Sequence, residues 1–487
     1  MRRSIRSTAS RLALLTLFAL GATAALAPES AHAAQTQAFA FTTDFTSGAI
    51  SDIQFGPPRT VNADQAAVSS DAVLRYFSGR LYVVNRFGFD NILILDPAND
   101  YSTVQQFSVG NGTNPHDIEL VSPTKAFVTR YDTSDLLIVN PQTGAQTGTI
   151  SLAAFADDDG IPEMDRLALR NGRLFVSIQR LDRNNFFSPT DSSQIVVIDA
   201  STNAIVDANT GAPGVQGIVL PFQNPLTELV VDPAGRLVVG CAGSFGLLDG
   251  GVVRIDPATL TIAATEITEA ALGGEVNDIA LLNATRGFAV ISDASFNTLL
   301  RSYNRSTGAT TGTPYSTAGF SIADIEINDR SELWLCDRTP INPGVRVFDA
   351  ANGSQLTASP LGTGLPPQDL VFDLATAVGV PAESGGAAAA PLAIVGVSPN
   401  PSADLSRIRF RVAASRDAFG ETATATLTVY DVAGRAIFRA TLAGLAEGEH
   451  VFEWDGRADR GGRVASGVYN VEIRAEEGRS VARIVRF

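Results

Sequence analysis

Hydrophobic residues in positions 36–375 recur in short alternating runs and show no sustained helical period. The recurring unit is an acidic residue, a few apolar positions, a short polar turn and an apolar strand. Clear copies are "HDIELVSPTKAFVT" from His116, "TELVVDPAGRLVVG" from Thr227 and "ADIEINDRSELWLC" from Ala323. Each copy continues into a third strand that ends in an Asp/Asn-Pro or Thr-Gly type turn, which leads to a fourth strand. This pattern predicts an all-β protein built from small four-stranded sheets.

The acidic position of the unit sets the length of the repeat. Its occupants are Ala72, Asp117, Asp165, Glu228, Asp278, Asp324 and Asp369. A repeat of roughly 40–50 residues with several strands in each copy is typical of a β-propeller. Six copies are complete, and the seventh needs "QDLVF" (368–372) as inner strand, with "AFAFTTDF" (38–45) and "GAISDIQF" (48–55) beside it. The sequence therefore predicts a seven-bladed β-propeller over residues 36–375, closed by strands from both ends.

Three short motifs carry a family resemblance: "LYVVN" (81–85), "NPHDIEL" (114–120) and turns of the form VID-x-x-T. In these motifs the chain resembles the YVTN-type, lactonase-like seven-bladed propellers of exported bacterial proteins, over about 340 residues. The resemblance implies the fold. It does not choose a function, because the same ring occurs in enzymes, binding proteins and surface-layer proteins.

The inner strands of a propeller line its central channel, so the acidic positions are expected to lie together near one mouth. Arginines stand just past several second strands, which run back to the same mouth. One interpretation is a structural belt of ion pairs, and the other is that some charges face a ligand. The candidate binding residues are Arg86, Arg130, Arg180, Arg338, Asp117, Asp165, Glu228, Asp278, Asp324 and Asp369. We assign none of them as catalytic or as a metal ligand.

His116 and Asp117 raise the question of a catalytic pair. His116 occurs in one copy only, whereas the position of Asp117 is acidic in six of seven copies. Neighbouring side chains on a strand point to opposite faces, so the two should not meet. We expect Asp117 to cap backbone N–H groups where one blade leads into the next.

The loops at this mouth also carry aromatic residues, as in "TDF" (43–45), "RFGFD" (86–90), "QRLDRNNFF" (179–187), "GSFG" (243–246) and "ASFN" (294–297). The favoured expectation is that each ring folds down over its own blade. The alternative is an interface, because aromatic residues beside arginines are enriched in interfaces. The long insertion after "QRLDR" (179–183) is the best candidate for a specificity loop.

Metal and cofactor chemistry receive little support from the sequence. The segment "ADDDGIPEMD" (156–165) could bind a hard cation through oxygen ligands, but a solvated acidic turn is favoured. We predict no cofactor, because no phosphate-binding loop, nucleophile elbow or zinc-protease motif occurs. Cys241 and Cys336 fall in blades four and six, too far apart for a disulfide. We expect two buried free thiols.

Residues 1–33 are predicted to be a signal peptide, with a basic start, an apolar run (12–27) and "AHA" (31–33) as cleavage site. The run is too short to span a bilayer, so no transmembrane segment is predicted. Removal of four arginines and Glu29 would change the formal net charge from −15 to −18. A strongly acidic protein repels nucleic acid, which we exclude as a partner. Only His116 and His450 would remain, which excludes a site of several histidines.

Residues 376–391 are predicted to be a linker, and residues 392–487 a small Ig-like β-sandwich. Its expected core is Leu427, Val429, Phe452, Trp454, Val468, Tyr469, Val471 and Ile473. The segments "SPNP" (398–401), "VYDVAGR" (429–435), "WDGRADRGGRVASGVYNVEI" (454–473) and "ARIVRF" (482–487) resemble the Ig-like domain of flagellar hook-capping proteins and the C-terminal sorting domain of type IX secretion cargo. The second resemblance implies secretion machinery as a partner and a location outside a bacterium with two membranes.

The sequence thus favours a secreted or surface-displayed propeller that binds a protein or carbohydrate ligand at one face, without catalysis. The alternative is a lactonase-like hydrolase or lyase at the channel mouth that uses its carboxylates and arginines, with dependence on Ca²⁺ left open.

Overall fold

The computed structural model describes residues 35–56, 58–373, 392–398, 405–412, 423–431, 435–445, 448–459, 461–465, 467–475 and 478–486. The predicted signal peptide (1–33) and linker (376–391) lie outside the described residues. The fold is all-β, with a seven-bladed propeller followed by a small Ig-like sandwich, as the sequence predicts. In this part of the chain no helix has the length and apolar character needed to cross a bilayer.

The chain enters the propeller through three strands and then builds blades 1 to 3 in order. The entering strands are β1 (Gln37–Thr43), β2 (Gly48–Gln54) and β3 (Thr60–Val68). Blade 1 contains β4 (Ala72–Phe77), β5 (Arg80–Asn85), β6 (Asn91–Asp96) and β7 (Ser102–Ser108). Blade 2 contains β8 (Pro115–Ser122), β9 (Lys125–Arg130), β10 (Asp135–Asn140) and β11 (Ala145–Ser151). Blade 3 contains β12 (Met164–Arg170), β13 (Arg173–Ile178), β16 (Gln194–Asp199), β17 (Ile205–Val206) and β18 (Ile218–Val219), with the hairpin β14 (Leu181–Asp182) and β15 (Ser188–Pro189) inserted.

Blades 4 to 6 follow the same plan with local irregularities. Blade 4 contains β19 (Val230–Val231), β20 (Leu237–Cys241), β21 (Gly251–Asp256) and β22 (Thr261–Thr268). Blade 5 contains β23 (Glu275–Leu281), β24 (Arg286–Ser292), β25 (Thr298–Asn304) and β26 (Ala309–Thr317). Blade 6 contains β27 (Ile322–Ile327), β28 (Glu332–Asp337) and β29 (Gly344–Asp349). Three short helices are Pro97–Asn99, Ala153–Phe155 and α1 (Glu269–Leu272).

Blade 7 joins the two ends of the propeller. Strand β30 (Pro367–Phe372) pairs antiparallel with β1, which gives the strand order β3-β2-β1-β30. The register places Phe41 opposite Asp369. The predicted seventh blade, assembled from both ends, is therefore present in the structure.

Apolar side chains fill the spaces between neighbouring blades. Trp334 of blade 6 is fully buried against Phe55 and Phe372 of blade 7. Phe39, on the other side of blade 7, packs on Tyr76 of blade 1. Burial of a large apolar side chain contributes about 1.5–3 kcal/mol. These contacts hold the closing blade on both sides.

The sandwich has two sheets, with strand orders β31-β32-β35 and β34-β33-β36-β37. The strands are β31 (Leu392–Ser398), β32 (Ser406–Val412), β33 (Ala423–Tyr430), β34 (Ala436–Leu445), β35 (Gly448–Trp454), β36 (Gly467–Ala475) and β37 (Gly478–Arg486). Six predicted core residues are buried: Leu427, Val429, Trp454, Tyr469, Val471 and Ile473. Phe452 is partly buried against them, and the side chain of Val468 lies outside the described part.

Candidate functional site

The repeated aspartates cap backbone N–H groups across the boundaries between blades. Asp117 Oδ1 accepts from the N–H of Ile118 at 2.8 Å, and its Oδ2 accepts from Leu167 of blade 3 at 2.9 Å. Asp278 accepts in the same way from Ile279 and from Ile325 of blade 6, both at 2.8 Å. The expected capping role of Asp117 is therefore confirmed. Each such aspartate connects one inner strand to the next.

Local irregularity in the inner strands explains why these caps are needed. The register shifts between Pro115 and Ile118, and between Val276 and Asp278, as at a β-bulge. A bulge leaves backbone groups unpaired in the ladder, and a short carboxylate beside it can bond them. Ala72 replaces the acid in blade 1, whose inner strand pairs without a shift. The one copy without an acid is thus a copy without a bulge.

His116 pairs with the neighbouring blade, not with Asp117. Its Nδ1 lies 2.8 Å from Oδ1 of Asp165, and its ring stacks on Tyr131 with centroids 4.1 Å apart. Gln179 donates to the other oxygen of Asp165 at 3.1 Å and accepts from the Tyr131 hydroxyl at 2.7 Å. Burial acts to raise the pKa of Asp165, but Arg166 and His116 hold it below its ordinary value. The group is a closed network across blades 2 and 3.

An inner-strand arginine that the sequence analysis missed crosses the channel. Arg75 Nε lies 2.8 Å from Asp117 Oδ1, and its Nη1 lies 2.7 Å from Glu228 Oε1. Glu228 stands just before the inner strand of blade 4, which is reduced to two residues, Val230–Val231. Burial alone would lower the pKa of Arg75, but the charges of Asp117 and Glu228 raise it well above its ordinary value. This bridge divides the channel.

Two cavities lie along the channel, and Glu228 lines both. The end where inner strands begin and second strands end is here called the top face. The upper cavity, near that face, has a volume of about 160 Å³ and is lined by Arg86, Arg166, Glu228, Asp278, Asp324 and Asp369, among others. The lower cavity, of about 330 Å³, is lined by Arg75, Glu119, Glu228 and Glu326 together with apolar side chains.

Crowding of carboxyl groups perturbs their titration. Burial, reinforced by Glu228, raises the pKa of Asp278 to about 7, although backbone N–H groups bond it. Asp278 and Asp324 both line the upper cavity, and burial together with Asp278 raises the pKa of Asp324 well above its ordinary value. Carboxyl groups that lie this close oppose each other's ionisation. Burial and Asp117 raise the pKa of Glu119 to about 8.

The structure places the ten predicted residues in different surroundings. Four carboxylates and Arg86 line the upper cavity, while Asp117 and Asp165 lie between blades. Arg86 pairs with Asp71 at 2.6 Å. Arg130 and Arg180 donate to the carbonyls of Asp135 and Phe155, at 2.9 and 2.7 Å. Arg338 donates to the carbonyls of Pro366, Pro367 and Thr43 at 3.0 to 3.2 Å. These last three arginines brace loops and do not pair with the channel carboxylates.

Large apolar residues are exposed on the top face, contrary to the favoured expectation that they cover their own blades. We call this set the top-face apolar ring: Phe45, Phe87, Phe89, Phe186, Phe187, Phe245, Leu247, Leu248, Phe296, Phe320 and Ile341. Phe186, at the tip of the insertion in blade 3, is 96% exposed, and Phe245 is 78% exposed. Six of the seven blades contribute to the ring, so the expectation that each aromatic ring covers its own blade is wrong.

Backbone conformation keeps several phenylalanine side chains of this set turned toward solvent. Phe45, Phe186, Phe187 and Phe296 have φ between 53° and 67°, in the left-handed region. A bulky residue there is uncommon and costs on the order of 1–3 kcal/mol. Such strain concentrates at functional positions, and here the turns present the rings to solvent.

The remaining candidates are structural in this fold. In the acidic turn, Asp157 accepts from Thr190 at 2.6 Å, and Glu163 accepts from Arg183 at 2.8 Å. Among the described residues no group of three or more His, Cys, Asp or Glu could hold a metal ion. Cys241 and Cys336 are buried free thiols, as predicted.

Comparisons with known proteins identify the C-terminal region. Residues 411–479 match the FlgD Ig-like domain family. No curated protein matches the chain. The first similar solved structure is PorZ, a surface component of the type IX secretion system of Porphyromonas gingivalis, at 15% identity and a TM-score of 0.38. That match covers 91% of this chain but 64% of PorZ, which is less than two thirds of its length.

Two further solved structures are similar over the propeller. AztD from Citrobacter koseri is 11% identical, with coverage of 70% of this chain and 99% of AztD and a TM-score of 0.41. The Dos1 propeller is 11% identical, with coverage of 69% of this chain and 86% of the Dos1 chain and a TM-score of 0.44. At these values no functional argument rests on the likeness.

Proposed function

We propose that this protein is a secreted or surface-displayed β-propeller that binds a partner through its top face and performs no catalysis. The top-face apolar ring is the observation that carries the proposal. Exposed apolar clusters rimmed by polar residues mark interaction sites, and aromatic residues are enriched at the centres of interfaces. The outward-held backbone of Phe186 and Phe296 supports the same conclusion.

A protein is the partner class that the composition of the ring favours. The ring consists of Phe, Leu and Ile, whereas both tryptophans, Trp334 and Trp454, are buried. Phe and Leu side chains suit apolar pockets on a protein, where a few buried anchors supply most of the binding energy. A carbohydrate ligand remains an outcome that the binding test separates.

The C-terminal domain supports the proposal of delivery to the cell surface. Its match to the FlgD Ig-like family covers residues 411–479, and its motifs resemble type IX sorting domains. We therefore propose that residues 392–487 engage secretion machinery. The hydrolase or lyase alternative has less support, because most of its candidate carboxylates have structural partners: Asp117, Asp278 and Asp369 bond backbone N–H groups, Asp165 pairs with His116, and Glu228 pairs with Arg75.

Photo-crosslinking tests the binding proposal. A crosslinking amino acid replaces Phe186, and the protein is illuminated on the surface of the producing bacterium. We expect a protein adduct that falls at least tenfold when Phe87→Ser, Phe245→Ser and Phe296→Ser are combined. The matched control combines Val104→Ser, Val219→Ser and Leu356→Ser, which alter apolar residues that are exposed outside the ring. Equal adducts in the two triple variants would refute the proposal, and a glycan adduct would refute the protein class.

Protease accessibility on intact cells tests the delivery proposal. The full chain is expected to be cleaved by added protease or found in the medium. A variant that lacks residues 392–487 is expected to stay inside the outer membrane. The same location for both chains would contradict the sorting role.

A further inference from the structure

The upper cavity contains charges of both signs, which distinguishes it from an acidic cluster. Arg166 enters it from blade 3, and Asp278, Asp324 and Asp369 enter it from blades 5, 6 and 7. Below the cavity lies the ion pair of Arg75 and Glu228, whose Nη1 and Oε1 atoms are 2.7 Å apart. The cavity is therefore a polar chamber with a basic and an acidic side.

One buried atom on each side has no hydrogen-bond partner. Nε of Arg166 and Oδ2 of Asp324 are both shielded from solvent and unpaired. The nearest acid to that Nε is Asp165, whose Oδ1 lies 3.5 Å away, beyond a good hydrogen bond. A buried polar atom without a partner costs about 1–3 kcal/mol, and more where the group is charged. The side chains that carry these atoms, Arg166 and Asp324, line opposite sides of the chamber with opposite charges, which suits a ligand that itself has two opposite charges.

The size of the chamber limits that ligand. A volume of about 160 Å³ equals roughly five water molecules at about 30 Å³ each. A guanidinium group binds a carboxylate through two parallel N–H bonds. Carboxyl oxygens on the opposite wall suit an ammonium group, which has three donors.

We propose that the upper cavity binds a small zwitterion of amino-acid type, with its carboxylate on Arg166 and its ammonium group among Asp278, Asp324 and Asp369. This site is separate from the top-face apolar ring and does not depend on the proposed function. Binding joins the inner strands of blades 3, 5, 6 and 7 across the channel, so it stabilises the closed ring.

Thermal unfolding of the whole protein tests the site without any substitution. The probes are glycine, L-alanine and L-serine at 10 mM, with ethylammonium and propionate as the two single-charge halves of alanine. We expect at least one amino acid to raise Tm by about 2 °C or more, since a ligand that binds only the folded state stabilises it. Neither half is expected to reproduce that shift. A shift with ethylammonium or propionate as large as that with alanine, or no shift with any amino acid, would overturn the proposal.

Calorimetric titration of variants assigns the contacts. Arg166→Gln and Asp324→Asn are each expected to weaken binding at least tenfold. The control is Arg236→Gln, because Arg236 pairs with Asp232 away from the channel and is 31% exposed. Arg166→Lys keeps the charge and serves if Arg166→Gln does not fold. Unchanged affinity in Asp324→Asn and in a folded Arg166 variant would refute the assignment.

Discussion

Replacement of Asp117 by alanine should destabilise the propeller strongly, because one carboxylate serves three donors. It bonds the N–H groups of Ile118 and Leu167 and pairs with Arg75. An unsatisfied buried N–H costs about 1–3 kcal/mol. Loss of one partner from a buried ion pair costs about 3–5 kcal/mol, although Arg75 keeps Glu228. We expect the free energy of unfolding to fall by about 3–5 kcal/mol.

Urea unfolding followed by fluorescence measures this change. Asp117→Asn should lose about 1–3 kcal/mol, because its amide nitrogen cannot accept from Leu167. Glu119→Gln is the matched control, since Glu119 lies two residues further on the same strand. Burial raises the pKa of Glu119 to about 8, so folding favours its protonated form over the charged one.

The control has its own pH dependence. Because the folded pKa of Glu119 lies above its ordinary value, the wild type loses stability as pH rises from about 4.5 to about 8. Glu119→Gln should therefore be neutral near pH 4 and stabilising by about 4 kcal/mol at pH 8. A loss below 1 kcal/mol for Asp117→Ala, or an equal loss for Glu119→Gln, would refute the capping argument.

Two further predictions concern groups outside the channel. Arg305 is fully buried and pairs with Asp232 at 3.0 Å and with Glu266 at 2.7 Å. Arg305→Met should lower the free energy of unfolding, measured in urea, by about 3–5 kcal/mol. A decrease below 1 kcal/mol would contradict this prediction. Burial raises the pKa of the Cys241 and Cys336 thiols, so neither should react with a thiol reagent at pH 8 until guanidinium unfolds the chain. Rapid reaction of the native protein would contradict this.

The repeat predicted the ring because spacing and alternation are properties of the chain alone. Asp117 and Asp278 were found as capping residues since they recur at one place in the unit. Arg75 and Glu119 were missed because the search followed only the acidic position of each copy. For Glu119 the bulge in β8 also changes which neighbouring residues face the channel. An arginine or glutamate on an inner strand was the available signal.

The loops were harder to predict. Arg130 and Arg338 find carbonyls within a few residues or across a blade boundary, which depends on loop conformations that alternation does not describe. Phe45 and Phe186 were expected to be covered because apolar rings usually are. Their left-handed backbone is a property of each turn, and no hydrophobic pattern encodes it.

Blade 7 can close only after the last propeller strand, β30 (Pro367–Phe372), has been synthesised. Thr36 and Asp373, which bond each other, are 337 positions apart. A contact between residues so far apart in the sequence cannot form until nearly the whole propeller has been synthesised. Until then strand β1 lacks its partner β30, and its open edge can pair with β30 from a second copy. Two copies can therefore exchange their β30 strands, and a low protein concentration or a chaperone favours the correctly closed monomer.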